Sequence, residues 1–500
     1  EEGIYYVEGL EPFYAKLDPF GHVKSLVCRR RRQHEGRWMT TDEEVTLAAR
    51  GIFVAAGTVP NTIYEREHHG TFELAGDHFQ PHVRHRRELQ PVDPVQHCKE
   101  PEFGPFTSYR RDSRYVTFIG DTHPAFQGSV VKAIASAYRS YPQVLQALRE
   151  HGEAEIEPGE YAEFRARMAD LLSPRVEAID TGHPAVVEIK VRAPLAARNF
   201  RPGQFYRLQT FESLSPVVEG TRLQLPLQTV SGAGVEDDVV RLFVLRGGAN
   251  PRLAERLRPG QPLVLMGPTG APTDLGDQKT VMVVAGRWGA AVMLALGPAL
   301  RAAGNRVLYF ATFRSAEDVY HRGQLERAAD RVVWATAGGT PIEPRRPQDI
   351  AVESDDVVDL VRRYGEGALE AAGTAPWPAL EEVDELLVMG STGLLRALQT
   401  SLKGELAPYF SPDVEVIGTV GSPMQCMLQG VCAQCLQWQI DPDTGQRTRA
   451  VFSCAMQDQP LFWVDLDNLA ARQAQNRLED HLTDLWLTHV LRHVADPGEG

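Results

Sequence analysis

The 500-residue sequence predicts a multidomain protein that joins α/β domains to an antiparallel β-barrel. A chain of this length exceeds what one hydrophobic core usually supports. From about residue 179 to 275, short strands of alternating polar and apolar residues are separated by glycine and proline turns, which is typical of a small barrel. From Thr280 a continuous apolar strand, a glycine-containing turn and an apolar helix follow, which indicates a parallel sheet.

These changes of pattern divide the chain into segments. They are a partial α/β domain at 1–150, a helical linker at 151–178, the barrel at 179–277, a Rossmann-like α/β domain at 278–418, a small cysteine-containing domain at 419–465, and a C-terminal helix and tail at 466–500. The predicted strands are 51–57 and 115–120 in the first domain, 186–191, 204–208, 239–245 and 262–266 in the barrel, and 281–285, 306–310, 332–334 and 385–389 in the parallel sheet. A helix is predicted from Val130 to about Tyr141.

Charge and hydropathy exclude two classes of function. The formal net charge is −14, whereas nucleic-acid binding needs a basic face to neutralise phosphates. The sequence contains no run of the roughly 18 apolar residues that a membrane span needs. Strand-like sequence follows Glu1 directly, without the pattern of a secretory signal, so we expect a cytoplasmic protein.

Four of the six cysteines lie close together near the C-terminal end. They are Cys426, Cys432, Cys435 and Cys454, spaced as C-x5-C-x2-C-x18-C. A [2Fe–2S] cluster needs four thiolates, and three of them commonly come from one tight loop. The small residues Gly430 and Ala433 let the loop backbone wrap closely around such a cluster. The spacing therefore favours an iron–sulfur site.

Structural zinc is the main alternative for these cysteines, since zinc also takes sites of four cysteines. Zinc sites usually pair two C-x2-C units, and here the only such unit is Cys432 to Cys435. A third interpretation is that all four are unligated core cysteines.

Two stretches of the barrel have features of a flavin site. They are Pro226, Leu227, Gln228 and Thr229, and Gly247, Gly248, Ala249 and Asn250. The first stretch suits an extended backbone laid against a flavin ring. The second precedes a short helix predicted from Arg252, whose N-terminus would offer amide donors to an anion. The alternative is that both are ordinary turns.

The turn after the strand at 281–285 has features of a dinucleotide site. Gly286 and Gly289 stand between this strand and a helix, where a pyrophosphate can approach the backbone. Arg287 either adds charge to a phosphate contact or is a surface residue. The segment from Gly390 to Gly393 follows the last predicted strand, at the edge where a parallel sheet presents its ligand crevice.

The first domain carries one further candidate site. Gly120 and Asp121 end a predicted strand that leads to the helix at Val130. This order suits a carboxylate bonded to a ribityl hydroxyl, with helix amides facing a phosphate. The segment from Thr58 to Pro60 fits the same arrangement.

With these residues identified, 179 to about 465 resembles ferredoxin-reductase-like electron-transfer subunits. These include the dihydroorotate dehydrogenase electron-transfer subunit and the alpha subunit of NADH-dependent ferredoxin:NADP oxidoreductase. The matching order is F-x-P-G-Q-F, P-L-x-x, G-G-x-x-P, G-P-x-G, a nucleotide turn and the cysteine cluster. The resemblance implies FAD on the barrel segments, NAD(P)H at Gly286 and Gly289, and a [2Fe–2S] cluster on the four cysteines. The sequence departs from the family pattern at Arg287-Trp288 and in the first cysteine gap, which is one residue longer than x4.

Residues 1–150 resemble the C-terminal part of pyridine nucleotide-disulfide oxidoreductases of the glutamate synthase small-subunit type. The match rests on Ala55 to Pro60 and on Gly120-Asp121 followed by Val130 to Ala133. The first FAD fingerprint, G-x-G-x-x-G, is absent, so the resemblance implies a truncated FAD/NAD(P)-binding domain.

The sequence thus predicts an NAD(P)H-dependent iron–sulfur flavoprotein oxidoreductase. Electrons would pass between pyridine nucleotide, FAD and a [2Fe–2S] cluster, to or from a redox partner protein or catalytic subunit in a hetero-oligomer. One alternative is a non-catalytic relay subunit that has lost nucleotide binding, which the Arg287-Trp288 turn favours. Another is a glutamate synthase small-subunit-like protein. No Ser-His-Asp set or paired-carboxylate site is evident, so no catalytic side chain is assigned.

Overall fold

The computed structural model describes residues 5–19, 22–54, 59–94, 97–150, 157, 159–370, 377–422, 424, 426 and 432–492. The chain forms two compact units, Glu1–Ala154 and Glu155–Gly500. None of the helices in these ranges is long and apolar enough to cross a membrane. The finer domain boundaries drawn from the sequence stay predictions.

The first unit is built from antiparallel strands and one long helix. Its strands are β1 (Leu10–Leu17), β2 (Val23–His34), β3 (Arg37–Ala48), β4 (Leu74–Ala75), β5 (His78–Phe79), β6 (His82–His85), β7 (Glu88–Pro91), β8 (Phe106–Arg111) and β9 (Arg114–Thr117), and its helices are α1 (Ile63–Glu67) and α2 (Val130–Arg149). The larger sheets have the orders β1-β2-β3 and β7-β6-β8-β9. The predicted helix is confirmed at its first residue, Val130, and extends beyond Tyr141.

The predicted buried strand at 51–57 is wrong for the residues that the structure describes. Residues 51–54 form no strand, and Phe53 and Val54 are 94% and 87% exposed. Residues 55–57 lie outside the described ranges. An apolar run becomes a central strand only where neighbouring strands pair with it and helices cover it. The described strands of this unit pair antiparallel with one another instead.

The second unit contains the remaining elements. Its strands are β10 (Arg175–Asp180), β11 (Val186–Arg192), β12 (Phe205–Thr210), β13 (Val217–Val218), β14 (Thr221–Arg222), β15 (Gln228–Glu236), β16 (Val239–Leu245), β17 (Leu263–Thr269), β18 (Thr280–Ala285), β19 (Arg306–Phe313), β20 (Arg331–Thr336), β21 (Ile350–Glu353), β22 (Glu385–Met389), β23 (Glu415–Thr419), β24 (Leu436–Ile440), β25 (Arg447–Phe452) and β26 (Asp458–Pro460). Its helices are α3 (Glu160–Leu172), α4 (Pro194–Arg198), α5 (Ala249–Ala254), α6 (Arg287–Ala302), α7 (Arg322–Arg327), α8 (Val357–Gly365), α9 (Thr392–Ser401), α10 (Leu466–Gln473) and α11 (Arg477–Leu491).

The predicted antiparallel barrel is confirmed. Six strands pair in the order β10-β11-β16-β15-β12-β17. A bridge between Arg175 and Pro262 joins the two edge strands and closes the barrel. Alternation along β12 places Tyr206 and Leu208 in the barrel core.

A seven-stranded sheet follows, in the order β21-β20-β19-β18-β22-β23-β26. All neighbours are parallel except β26, which runs antiparallel to β23. The strand Thr280–Ala285 is buried at every residue because hydrophobic clusters cover both faces of the sheet. The continuous apolar strand predicted at 281–285 and the further candidate strand at 385–389 are therefore confirmed.

A buried ionic cluster ties the barrel to the parallel sheet. Glu188 on β11 accepts a hydrogen bond from Arg241 Nε on β16 at 3.0 Å, and its other oxygen lies 2.7 Å from Nε2 of His321, directly before α7. Burial by itself raises the pKa of Glu188, but the hydrogen bonds from His321 and Arg241 prevail and hold it below the usual 4.5. The carboxylate is thus favoured in the folded state.

We expect Glu188→Gln to lower the stability of the second unit by about 3–5 kcal/mol, because it leaves the buried Arg241 charge without its partner. The pKa of Glu188 is lower in the folded state than in the unfolded state. The stabilisation that its carboxylate contributes is therefore fully present above the unfolded-state pKa, and it is lost as the pH falls through the folded-state pKa. The difference between wild type and variant in urea unfolding should therefore shrink in acid. Glu177→Gln, an exposed acid on neighbouring β10, is the control and should change stability by no more than about 0.5 kcal/mol. Equal effects of the two variants would contradict this account.

Candidate functional site

A cavity of about 360 Å³ lies where the barrel, α6 and the cysteine segment meet. Phe205, Trp288 and Met424 give it apolar walls, and Thr229 and Gln457 add polar groups. Cofactor sites in proteins are commonly cavities of this size, mostly apolar, with a few polar groups that fix orientation. The cavity therefore suits a planar aromatic ligand with polar edges.

The cysteine segment reaches this cavity through a hairpin. Strands β24 and β25 pair antiparallel, with Leu436 opposite Phe452. This register brings Cys435 beside the end of β25, where the Ser453 N–H donates to the Cys435 carbonyl at 3.2 Å. The 18-residue gap is thus a hairpin that returns Cys454 to Cys435, and both side chains are buried.

The other two cysteines form a second pair. The Cys432 N–H lies 3.3 Å from Cys426 Sγ, and the Cys426 N–H lies 3.5 Å from Cys432 Sγ. Ala433 has a left-handed backbone (φ 53°), so the chain turns tightly between Cys432 and Gln434. The close wrapping of this loop around a cluster stays a prediction, and Gly430 lies outside the described residues.

The buried cysteine pair lies directly behind a wall of the cavity. Cys435 and Cys454 pack against Phe205 and Met424, the same two residues that line the cavity. Interaction with Cys454 lowers the pKa of the Cys435 thiol to about 6 against the opposing effect of burial. Thiolates are the form that binds metals.

One buried cation faces all four cysteines. Arg207 on β12 is 1% exposed, and its Nε and Nη1 have no hydrogen-bond partner within the described ranges. Burial lowers the pKa of Arg207, and electrostatic attraction to Cys432, Cys426, Cys435 and Cys454 opposes that lowering. The structure thus holds a buried guanidinium within electrostatic reach of the four cysteines, and two of its three nitrogens have no acceptor within the described ranges.

Within the described ranges, no group of three or more His, Cys, Asp or Glu side chains is already arranged to hold a metal ion. None of the six cysteines, all of which are described, forms a disulfide bond. The residue types nevertheless fit an anionic centre with sulfur ligands. Four cysteine sulfurs could ligate it, and the unpartnered nitrogens of the buried Arg207 guanidinium could donate hydrogen bonds to it.

Buried polar residues fix the segment that follows Cys454. Gln457 donates to the Gly203 carbonyl at 3.3 Å and accepts from the Ala271 N–H at 3.0 Å. Asp458 accepts from the hydroxyls of Thr273 and Thr419, each at 2.6 Å. These contacts join the cysteine segment to the barrel and to β23, so both sides of the cavity are held together.

A larger crevice of about 790 Å³ lies at the carboxyl ends of β18, β19, β20 and β22. Its lining residues include Gly286, Trp288, Arg314, Ser391 and Gly393. Parallel sheets bind their ligands at this edge. The structure therefore brings the two predicted nucleotide turns together, while their role as nucleotide ligands stays a prediction.

The residues of the first nucleotide turn have distinct surroundings. Gly289 is buried, and a Cβ there would lie 2.6 Å from Ala285 Cβ and 2.7 Å from the Met389 carbonyl. The guanidinium of Arg287 donates to the carbonyls of Ala185 at 3.2 Å and Arg246 at 3.3 Å. Arg287 therefore ties α6 to the barrel and also lines the crevice, and its contact with a phosphate stays a prediction. Trp288 lines both the crevice and the cavity.

The two predicted flavin segments are adjacent. Asn250 Nδ2 donates to Gln228 Oε1 at 2.8 Å, and Thr229 lines the cavity. Gly247 and Gly248 have positive φ values, 147° and 78°, so the turn before α5 needs glycine. Helix α5 begins at Ala249, three residues before the predicted start at Arg252.

The candidate residues of the first unit form a local turn. The Gly120 N–H donates to Ser136 Oγ at 2.8 Å, and Asp121 accepts from the Gly128 N–H at 3.1 Å. Both contacts connect the turn to α2 and the loop before it. Of the predicted segment at Thr58 to Pro60, Thr58 lies outside the described residues.

Sequence reasoning missed several residues that form the site. Arg207, Met424 and Gln457 were not predicted as functional, and Phe205 was noted only as the end of a turn motif. The one usable signal was a charged residue between Tyr206 and Leu208 in the strand predicted at 204–208.

No protein-family model matches this chain. An uncharacterized protein of Rickettsia prowazekii (strain Madrid E) is 26% identical over 369 residues, which is 74% of this chain. The match covers 41% of that protein, so the chain spans about two fifths of the length of this curated relative.

Several solved structures are similar. The NADH-dependent reduced ferredoxin-NADP oxidoreductase has 17% identity and a TM-score of 0.48, covering 63% of this chain and 97% of that chain. A ferredoxin NADP+ reductase from Neisseria gonorrhoeae with bound FAD and NADP has 17% identity and a TM-score of 0.35, covering 46% and 89%. A ferredoxin reductase in carbazole 1,9a-dioxygenase has 19% identity and a TM-score of 0.33, covering 49% and 67%. The comparisons give no support to a fusion with a glutamate synthase small-subunit-like module.

The close packing of α6 yields a stability prediction. Gly289→Ala should destabilise the second unit by about 1–3 kcal/mol, because the new methyl meets backbone and Cβ atoms that cannot move aside easily. Gly323→Ala on α7 is the matched helical control, since its nearest neighbour is a flexible arginine end at 3.6 Å. It should be neutral or stabilising by up to about 1 kcal/mol. Thermal unfolding compares the stabilities of the two variants with that of wild type. Unchanged stability in Gly289→Ala would refute the packing argument.

Proposed function

We propose that the chain is an NAD(P)H-dependent oxidoreductase that holds FAD and a [2Fe–2S] cluster and exchanges electrons with a redox partner protein. The observation that carries this proposal is the position of the cavity. Trp288 belongs to both the crevice and the cavity, while Phe205 and Met424 belong to both the cavity and the packing around Cys435 and Cys454. Three candidate sites therefore adjoin one another in the order that electron transfer requires.

Each site has side chains suited to its ligand. Gly286 and Gly289 would let a dinucleotide lie against the start of α6, and Arg314 would add positive charge to the crevice. Thr229 and Gln457 would orient the polar edges of a flavin, and Phe205 and Trp288 would exclude water from its ring. The polar segments at Gln228 and Asn250 would hold the rest of FAD.

Cys426, Cys432, Cys435 and Cys454 would ligate the cluster. When bound, these cofactors supply the redox chemistry, in which a flavin takes a hydride and a [2Fe–2S] cluster carries single electrons. The protein supplies binding, orientation and charge. Residues Gly120 and Asp121 would serve a flavin or nucleotide site in the first unit, and assembly with a partner subunit belongs to the same proposal.

A relay subunit without nucleotide binding is the second candidate function. It is favoured by Arg287, because one nitrogen of its guanidinium already donates to barrel carbonyls. Anaerobic addition of NADH or NADPH separates the two, since the proposed reductase should lose its flavin absorbance while a relay should stay oxidised.

Loss of a cysteine ligand should remove the cluster. We expect anaerobically purified wild type to contain about two irons per chain and to give a reduced-cluster EPR signal. Cys432→Ser and Cys435→Ser should each abolish or shift that signal. Cys98→Ser lies in the first unit and should leave iron content and spectrum unchanged. A colourless, iron-free wild type would end the cluster assignment.

A negative charge in the crevice should block the nucleotide. Gly393→Asp places a carboxylate in the first turn of α9, where it suits the helix but repels dinucleotide phosphates. We expect the Kd for NAD(P)H to rise at least about tenfold, which is 1.4 kcal/mol, with the visible spectrum of the oxidised protein retained. Gly393→Ala is the control and should bind normally, because a Cβ there meets nothing closer than 3.6 Å. Unchanged affinity in Gly393→Asp would show that the nucleotide binds elsewhere.

A further inference from the structure

We propose that Arg207 is a fixed positive charge and hydrogen-bond donor to the [2Fe–2S] cluster, and that it raises the reduction potential of that cluster. The inference rests on the proposed function, because it concerns the group that the four cysteines would hold. It assigns a role to a residue that has none as a nucleotide or flavin ligand.

The position of Arg207 follows from the alternation of β12. Successive strand residues point to opposite sides, and Tyr206 and Leu208 lie in the barrel core. Phe205 and Arg207 therefore point away from it, and Phe205 packs against Cys435 and Cys454. Opposite Arg207 in the neighbouring strand is Thr229, which lines the cavity. The Arg207 side chain thus leaves β12 on the face that carries Phe205 and Thr229, the face toward the cavity and the cysteine segment.

The burial of Arg207 requires an anion. Removing a guanidinium from water costs several kcal/mol unless negative charge and hydrogen-bond acceptors replace the solvent. The other buried arginines near the barrel and sheet show the usual solution, as Arg241 pairs with Glu188 and Arg331 pairs with Glu370 at 2.6 Å. Within the described ranges Arg207 has no carboxylate ion pair, and its Nε and Nη1 have no acceptor.

The cysteines supply the missing negative charge only as thiolates. A [2Fe–2S] cluster with four cysteine ligands carries net negative charge, and its reduction adds one further electron without requiring a proton. A fixed cation beside it stabilises the reduced form more than the oxidised form. Hydrogen bonds to cluster sulfurs act in the same direction, and both are recognised determinants of the potential of such clusters.

The experiment compares Arg207→Gln, Arg207→Lys and wild type by EPR-monitored redox titration of the purified holoprotein. We expect Arg207→Gln to lower the equilibrium constant for cluster reduction at least about tenfold, which is 59 mV for a one-electron couple. Arg207→Lys keeps the positive charge but lacks the planar donors of a guanidinium. Its cluster should therefore have a reduction potential between those of Arg207→Gln and wild type. Arg192→Gln removes an equal charge from β11, which is separated from β12 by two strands around the barrel, and should leave the potential unchanged.

A second readout detects the contact itself. Pulsed EPR of the reduced protein grown with isotopically labelled arginine should show coupling to an arginine nitrogen, and Arg207→Lys should abolish that coupling.

A cluster at wild-type potential in Arg207→Gln, or absence of the coupling in wild type, would overturn the inference while leaving the proposed function intact. Loss of iron from Arg207→Gln but not from Arg207→Lys would support it, because charge then retains the anionic cluster. Loss of iron from both folded variants would overturn it, and an iron-free wild type would instead overturn the proposed function.

Discussion

A buried positive charge without a carboxylate partner is the constraint around which the second unit is arranged. Arg207 lies on a barrel strand at 1% exposure, and its electrostatic attraction is to the four cysteines. A cation in this position is costly unless anionic ligands surround it. The hairpin β24–β25, the left-handed turn at Ala433 and the anchors at Gln457 and Asp458 all act to bring sulfur atoms to that place.

The barrel and the parallel sheet supply the two other walls of the site. The strands of the sheet end at a crevice, and α6 begins there with a glycine-rich turn. Because Gly289 allows α6 to lie close against β18 and β22, Trp288 reaches both the crevice and the cavity. Arg287 and the Glu188 cluster hold the barrel against this sheet, so the cavity between them has fixed dimensions.

The sequence predicted elements whose burial follows from local pattern. The strands at 239–245 and 385–389 have the bounds that the sequence pattern predicted. The same reasoning failed for 51–54, the described part of the predicted strand, because burial depends on neighbouring strands that the described part of the first unit does not provide there. The cysteine spacing predicted that the four cysteines lie close together, but it did not predict the hairpin β24–β25 that brings Cys454 back to Cys435. Phe205, Trp288 and Met424 form one cavity although they are far apart in sequence, and no local pattern reveals such a meeting.

Iron K-edge X-ray absorption on anaerobically purified protein, with metal analysis of the same sample, determines whether the four cysteines hold iron. We expect about two irons per chain, each surrounded by sulfur alone, with a short iron–iron distance. Zinc in place of iron, or iron bound by oxygen and nitrogen ligands, would contradict it.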